Sequence, residues 1–107
     1  MVTEDQLTTL VKGIRERYKP QSVHLFGSQA RGEAHEASDL NLCLVVTEAG
    51  DWLERQMELL KGFDLPGVPL RAFVYTVAEW DRLRAEGHPF VREILEEGRV
   101  LYERRRK

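Results

Sequence analysis

The pattern of apolar and polar residues predicts helices and strands that alternate along the chain. Apolar residues recur at the spacing of a helix face over 7–18, and Thr3 with Gln6 forms a capping-box pattern at the start of this helix. Lys19-Pro20 ends the helix, because the residue before a proline disfavours helical backbone. Short apolar or β-branched runs bounded by glycine and proline predict strands, at 22–26, 40–46 and 68–75, with a further candidate for a short edge strand at 99–103.

Three more helices complete the predicted order. One begins near Gly50, one begins at Thr76, where a capping-box pattern recurs, and one runs between Pro89 and Gly98. The second strand, 40–46, is apolar almost throughout, which is typical of a strand buried on both faces. The sequence therefore predicts an α/β fold, a small mixed sheet backed by helices on one side.

The composition is that of a globular protein, with 42% hydrophobic and 32% charged residues in a chain of 107. A chain of this length fits one compact domain and shows no repeat or linker, so we expect a single domain over 1–107. The formal net charge of −2 argues against a general nucleic-acid-binding protein. The basic run ERRRK at 103–107 predicts a solvated chain end, with a contact to RNA or to a partner protein as the alternative.

Several features favour a cytoplasmic location. Cys43 is the single cysteine, so no disulfide can form within the chain, and its apolar neighbours predict a buried thiol rather than a reactive one. No apolar run approaches the ~20 residues of a membrane span. The N-terminal residues also lack the pattern of a signal peptide. We therefore expect a cytoplasmic protein that is not associated with a membrane.

A strand–glycine–helix turn is predicted at Gly27, directly after the first strand. Backbone N–H groups at the start of a helix, together with a glycine that lets a ligand approach the backbone, form a site for an anion such as a polyphosphate. Ser28 adds a hydroxyl donor and Arg31 adds positive charge. These residues are candidates for nucleotide binding, and an ordinary strand-to-helix turn is the alternative.

A second candidate feature stands at the start of the next strand, where Ser38-Asp39 is followed by Asn41. Positions 39 and 41 project from the same face of a strand. Two carboxylates here would hold hard cations beside the phosphates, as two-metal phosphoryl transfer requires. Asp39 is therefore a candidate metal ligand, whereas Asn41 offers a neutral amide at the second position.

Together these residues resemble the signature of the minimal nucleotidyltransferases of the DNA polymerase beta superfamily. The matching positions, at the spacing of the family motif, are Gly27, Ser28, Ala30, Arg31, Gly32, Ser38 and Asp39. The resemblance implies transfer of a nucleoside monophosphate from an NTP to a hydroxyl, with Mg²⁺ held by three carboxylates, and it adds Ser38 to the nucleotide-binding residues. It also implies a HEPN-type helical partner, in some members as a toxin–antitoxin pair whose toxin is the partner, and it leaves a homo-oligomer open.

The chain departs from this family at two of the three carboxylate positions. Asn41 stands at the second, and alignment on the VYT segment at 74–76 places Arg71 at the third. Asp39 contributes −1, Asn41 nothing and Arg71 +1, so the three positions carry no net charge where three carboxylates would carry −3. A metal ion beside Arg71 is disfavoured, whereas a phosphate is favoured. We therefore expect weak or absent Mg²⁺ binding and weakened or lost catalysis.

Two functions stay open at this point. One is an impaired enzyme that keeps Asp39 as its residual catalytic carboxylate, and the alternative is a non-catalytic nucleotide-binding or interaction module that acts with a HEPN-type partner as the antitoxin. Side chains that could substitute for the lost carboxylates, each expected to be solvated instead, are Glu33, Glu36, Asp64 and Glu79. We expect His24 to be structural, His35 to be exposed, and both Trp52 and Trp80 to anchor a core or an interface.

Overall fold

The structure, a computed structural model, describes residues 3–32, 39–47, 54, 56, 61 and 68–104. Its helices and strands are α1 (Glu4–Tyr18), β1 (Ser22–Phe26), α2 (Ser28–Arg31), β2 (Leu40–Val46), β3 (Leu70–Thr76), α3 (Val77–Ala85), α4 (Pro89–Glu97) and β4 (Arg99–Glu103). Residues 54, 56 and 61 are helical, in agreement with the helix predicted from Gly50, while the rest of that prediction, including Trp52, lies outside the described residues. None of the helices in the described part is both long and apolar enough to cross a bilayer.

The four strands form a mixed sheet in the order β3-β2-β1-β4. β1 pairs antiparallel with β2 and with β4, whereas β2 pairs parallel with β3. The predicted mixed sheet is confirmed, and the candidate edge strand at 99–103 forms β4. β3 begins later than the predicted 68–75, since Val68 makes an isolated bridge before the continuous strand Leu70–Thr76.

α1 begins and ends where the sequence predicts. Gln6 N donates to Thr3 Oγ1 at 3.1 Å and Thr3 N donates to Gln6 Oε1 at 2.9 Å, so the capping box forms. Lys19 takes a left-handed backbone with φ of 47°, and its N–H donates to the Arg15 carbonyl. The buried face of α1, which packs on the sheet, consists of Leu7, Leu10, Val11 and Ile14.

Helices cover both faces of this sheet. Alternate residues of β2 point to opposite faces, so Leu42 and Leu44 join a cluster with α1, whereas Cys43 and Val45 join a second cluster. The second cluster also holds the buried residues of α3 and α4, which are Trp80, Val91 and Ile94. The prediction of helices on one side is therefore wrong, because a strand that is apolar almost throughout needs cover on both faces.

One end of the sheet carries the candidate residues. β1 ends there, and β2 and β3, which run in the opposite direction, begin there. Phe26 pairs with Asn41 across β1 and β2, and Asn41 pairs with Arg71 across β2 and β3. These three residues form a row on the face that α3 and α4 cover, next to the Gly27 turn.

Candidate functional site

The Gly27 turn joins β1 to α2 and has a backbone that requires glycine. Its φ of 81° and ψ of −160° lie in a region that side chains disfavour. A Cβ at this position would lie 2.7 Å from Asn41 Nδ2, closer than packed atoms approach. The Gly27 carbonyl accepts from the N–H groups of Ala30 at 3.1 Å and Arg31 at 3.2 Å, which starts α2. The turn is therefore built directly against the Asn41 side chain.

Asp39 and Arg71 form an ion pair where β2 and β3 begin. Arg71 Nε lies 3.3 Å from Asp39 Oδ2, and the two side chains are 67% and 37% exposed, respectively. An ion pair this exposed contributes little to stability, about 0–1 kcal/mol. Its effect on the site is more direct, because the guanidinium contacts one carboxylate oxygen and compensates the charge of Asp39.

The donors described at this end of the sheet do not fit a two-metal site. Mg²⁺ takes oxygen ligands, and carboxylates are the groups that bridge two such ions. Asp39 is paired with a cation, Asn41 is neutral, and Arg71 carries a fixed positive charge. The described residues contain no group of three His, Cys, Asp or Glu side chains that could hold a metal ion. The same arrangement does fit an anion, because Arg71 presents an exposed guanidinium cation.

The other predicted nucleotide-binding residues lie around the turn. Ser28 is the first residue of α2 and is half-buried. Arg31 ends α2 and extends toward α4, with Nη1 3.9 Å from Glu97 Oε2. Outside the described residues lie Ser38, His35, Glu33, Glu36 and Asp64. The structure therefore gathers the described candidates at one end of the sheet, with Arg31 on the side of α4.

Glu79 has a structural partner rather than a place at this site. Its Oε1 atom accepts from Thr76 N at 2.8 Å, and Thr76 Oγ1 accepts from Glu79 N at 3.1 Å. This capping box lies where β3 ends, whereas Arg71 lies where β3 begins. Glu79 therefore stabilises the start of α3 and does not substitute for a lost carboxylate.

His24 and Cys43 are register partners inside the sheet. His24 is 3% exposed, its Nε2 lies 2.9 Å from Ser22 Oγ, and its ring stacks on Trp80 with centroids 5.2 Å apart. Burial lowers the pKa of His24, an effect that the Glu103 carboxylate partly opposes. Burial raises the pKa of the Cys43 thiol above its ordinary value, so this thiol is unreactive. Both residues are packed as the sequence predicts.

Sequence patterns miss two features of this face of the sheet. The ion pair between Asp39 and Arg71 depends on the register of two strands. The signal for it in the sequence is a pair of opposite charges near the starts of these strands. The second feature is a cavity at the other end of the face, lined in part by His24 and Trp80. Its lining comes from several elements that are distant in the chain, so no local motif marks it.

The chain is similar in sequence to known proteins. Residues 7–102 match the family model described as a nucleotidyltransferase domain. A segment of 43 residues is 42% identical to a Methanocaldococcus jannaschii protein named "putative protein adenylyltransferase", and it covers 40% of this chain and 50% of that protein. The matched segment thus spans half the length of this relative.

Two solved structures share the fold. A Sulfolobus solfataricus protein described as a "putative nucleotidyltransferase" superposes with a TM-score of 0.63 at 17% identity, over 92% of this chain and 79% of that chain. A toxin–antitoxin solved with AMP-PNP superposes with a TM-score of 0.60 at 19% identity, over 92% of this chain and 74% of that chain. At these identities the likeness concerns the fold, a mixed sheet flanked by helices.

Proposed function

Because the chain belongs to the nucleotidyltransferase domain family, we propose that it binds a nucleoside triphosphate at the Gly27 turn and that its nucleotidyl transfer is weakened or lost. Family membership implies an NTP ligand and usually a divalent cation. The observation that carries the proposal is the contact between Arg71 Nε and Asp39 Oδ2, 3.3 Å apart. This contact is compatible with binding of the nucleotide phosphates and unfavourable for binding of the cation.

Nucleotide binding is supported by the groups that surround the turn. Gly27 leaves the backbone accessible, and Ser28 begins a helix whose first N–H groups can donate to phosphate oxygens. Arg71 is 67% exposed, so its guanidinium can exchange the Asp39 carboxylate for a phosphate without a change in the core. In this proposal Arg71 supplies the positive charge beside the triphosphate, and binding does not depend on Mg²⁺.

Loss of transfer activity is supported by the same pair. Metal-dependent transfer needs carboxylates that hold two cations beside the reacting phosphate. Here Asp39 shares its charge with Arg71, and Asn41 faces the Gly27 turn with a neutral amide. A cation at this position would meet the repulsion of a guanidinium instead of the attraction of a second and a third carboxylate.

Calorimetry with ATP in EDTA, and then with Mg²⁺, tests the proposal, because one substitution should change the ATP affinity in a direction that depends on the role of Asp39. If Asp39 competes with phosphate for Arg71, Asp39→Ala should tighten ATP binding in EDTA by about two- to fivefold, the equivalent of an exposed ion pair. If Asp39 instead holds a metal ion, Asp39→Ala should weaken binding in Mg²⁺ and have no benefit in EDTA. Arg71→Ala should weaken binding in both buffers.

Matched controls separate these effects from a general change of charge. Glu16→Ala and Lys12→Ala remove one exposed charge of each sign from α1, on the other face of the sheet, and should leave ATP affinity unchanged. Binding to the unsubstituted protein should weaken as salt is raised, with or without Mg²⁺. A strict requirement for Mg²⁺, or the absence of binding in every buffer, would contradict the proposal.

A partner-dependent role is the second candidate, in which the chain acts with a HEPN-type helical protein as the antitoxin. It is supported by the shared fold with a structure solved as a toxin–antitoxin, and by the relative whose name is that of a protein adenylyltransferase. In that role a partner protein either provides the acceptor hydroxyl or is inhibited by binding alone. The neutral Asp39–Arg71 pair favours inhibition by binding alone.

Co-expression with the candidate partner tests this role. With labelled ATP, we expect no transfer of label to the partner that is dependent on Asp39 of this chain. The Asp39→Ala variant should neutralise a toxic partner as well as the unsubstituted chain does. Turnover that disappears in Asp39→Ala but not in Glu16→Ala would show that catalysis persists, and it would favour the enzyme.

A further inference from the structure

A cavity of about 330 Å³ lies on the same sheet face as the Gly27 turn, at the opposite end of β1. Ser22 and His24 contribute to it from β1, whereas the turn follows Phe26. Four residue-to-residue steps of extended chain lead from Ser22 to Phe26, a distance of about 13 Å. The cavity is therefore distinct from the proposed nucleotide site, and its lining residues have no part in that proposal.

The floor of the cavity is polar and buried. Ser22 is 5% exposed and His24 is 3% exposed, and Ser22 Oγ lies 2.9 Å from His24 Nε2. Trp80 fixes the imidazole by stacking at a centroid distance of 5.2 Å and an interplanar angle of 30°. Since burial lowers the pKa of His24, the ring is neutral at pH 7 and has one N–H and one lone pair. The Ser22 hydroxyl engages Nε2 of this ring.

The rim of the cavity combines positive charge with an apolar surface. Arg84 of α3 and Arg104 after β4 are both exposed, and they outnumber the Glu103 carboxylate, so the described residues of the rim carry a net charge of +1. Leu95 of α4 is 42% exposed, whereas Val91 and Ile94 of the same helix are buried. The cavity thus offers cations, a neutral hydrogen-bonding floor and an apolar wall in one space.

We propose that this cavity binds a small organic carboxylate with an apolar body. The two guanidinium groups hold the carboxylate, Leu95 and the edge of Trp80 contact the apolar body, and the His24–Ser22 pair provides a hydrogen bond at the floor. A volume of 330 Å³ is at the low end of the range of about 300–1,000 Å³ for small-molecule sites, so the ligand is compact. The net charge of +1 on the described part of the rim matches a single carboxylate.

Heteronuclear NMR titration with benzoate, acetate and inorganic phosphate, each at constant ionic strength, tests the proposal. Benzoate should saturate and shift the resonances of Gln21, His24 and Leu95, and it should bind at least about fivefold more tightly than acetate because it adds apolar contact. Phosphate should bind no more tightly than acetate. Saturating ATP should leave the benzoate affinity unchanged, since the nucleotide site lies at the other end of β1.

Two exposed positions provide variants that should not disturb the fold. Arg84→Ala should weaken benzoate binding by about fivefold, the value of one exposed charge contact, whereas Arg82→Ala, on the same helix but not in the cavity lining, should leave it unchanged. Leu95→Ser should bring the benzoate affinity down to that of acetate. The proposal is overturned if no ligand saturates, if phosphate or acetate binds as tightly as benzoate, or if Arg82→Ala and Arg84→Ala have equal effects.

Discussion

Asn41 and Arg71 occupy one register position of the parallel β2–β3 pair, and this register brings the Arg71 guanidinium to within 3.3 Å of the Asp39 carboxylate. The amide of Asn41 faces the Gly27 turn, so it lies between the turn and the ion pair. At the three positions that the family resemblance assigns to metal carboxylates, Asn41 is therefore neutral, and Asp39 and Arg71 pair with each other. The consequences of this arrangement can be measured one substitution at a time.

Restoring the carboxylates should restore metal binding in a definite order. Asn41→Asp alone should give a weak site for Mn²⁺, because Arg71 still repels a second ion. Arg71→Asp alone should bind Mn²⁺ only a little more tightly than Asn41→Asp does. The double variant should bind Mn²⁺ at least about tenfold more tightly than Asn41→Asp, since like-charge repulsion is removed and three oxygen ligands are present. The effects should be strongly non-additive, as expected for groups that share one ion. Titration of Mn²⁺ with magnetic-resonance detection measures all three variants.

The matched control for this series places the same change of charge elsewhere. Asn41→Asp with Lys12→Asp has the net charge of the double variant, but Lys12 is exposed on α1 at the other face of the sheet. Its Mn²⁺ affinity should equal that of Asn41→Asp. If the variant with Arg71→Asp binds no better than this control, Arg71 is not the lost carboxylate position.

Alanine at Gly27 should destabilise the protein more than alanine at Gly32. Both glycines have positive φ, 81° and 74°, so both substitutions strain the backbone, by about 1–2 kcal/mol. A Cβ at Gly27 also meets Asn41 Nδ2 at 2.7 Å, whereas a Cβ at Gly32 meets no atom of the described residues within 4 Å, its chain neighbours aside. We therefore expect Gly27→Ala to lower the free energy of unfolding, measured in urea, by about 2–4 kcal/mol. Adding Asn41→Ala should restore the part of this loss that comes from the clash with Asn41. Equal costs for the two glycines would show that the turn relaxes away from Asn41.

Stability should fall as the pH drops through the range where histidine titrates. Burial lowers the pKa of His24 in the folded state, so the unfolded chain, with an ordinary value of 6.5, binds the proton more readily. The contribution of His24 is therefore complete above pH 6.5 and declines below it, until the pH reaches the lowered pKa of the folded state. Urea midpoints between pH 5 and 8 should show this slope, which His24→Gln should reduce. An unchanged slope in that variant would assign the effect to other groups.

A separate acid transition should arise from the pair between Glu4 and Arg99. Arg99 Nη1 and Nη2 donate to Glu4 Oε1 and Oε2 at 2.6 and 2.9 Å, and these hydrogen bonds lower the pKa of Glu4 below 4.5. A lowered carboxyl pKa means stabilisation that is complete above pH 4.5 and is lost as the pH falls through the folded-state value. Because both side chains are exposed, the effect should be small and should diminish with salt. Thermal unfolding of Glu4→Gln should lack it, whereas Glu16→Gln should retain it.

Local patterns were sufficient to predict most of the fold. The capping boxes at Thr3 and Thr76 and the bounded apolar runs gave the starts of two helices and the positions of four strands, since these signals depend on neighbours in the chain. The nearly continuous apolar run Leu40–Val46 indicates cover on both faces of the sheet, but this run alone does not say which helices provide that cover.

The sequence predicts the members of the candidate site but not the contacts between them. The turn motif identified Gly27, and alignment on VYT placed Arg71 on β3, where the structure has it. Whether Arg71 turns to Asp39 depends on strand register and on side-chain torsions, which no sequence spacing fixes. The cavity beside His24 is a still longer-range feature, because Arg84, Leu95 and Arg104 come together only after the sheet and both covering helices have formed.

The position of β4 beside β1 has a consequence for synthesis of the chain. β1 is formed by residues 22–26, yet its second neighbour is formed by residues 99–103, so this pairing closes a loop of more than 70 residues. While the ribosome is still adding the residues between them, the hydrogen-bonding edge of β1 has no strand to pair with, and contacts of such long range form slowly. The nascent protein therefore passes through a stage with an open sheet edge, a known template for pairing with other chains. We expect a factor that binds the emerging polypeptide to protect that edge during translation. Ribosome profiling of chain-bound chaperones would show at which chain length this protection ends.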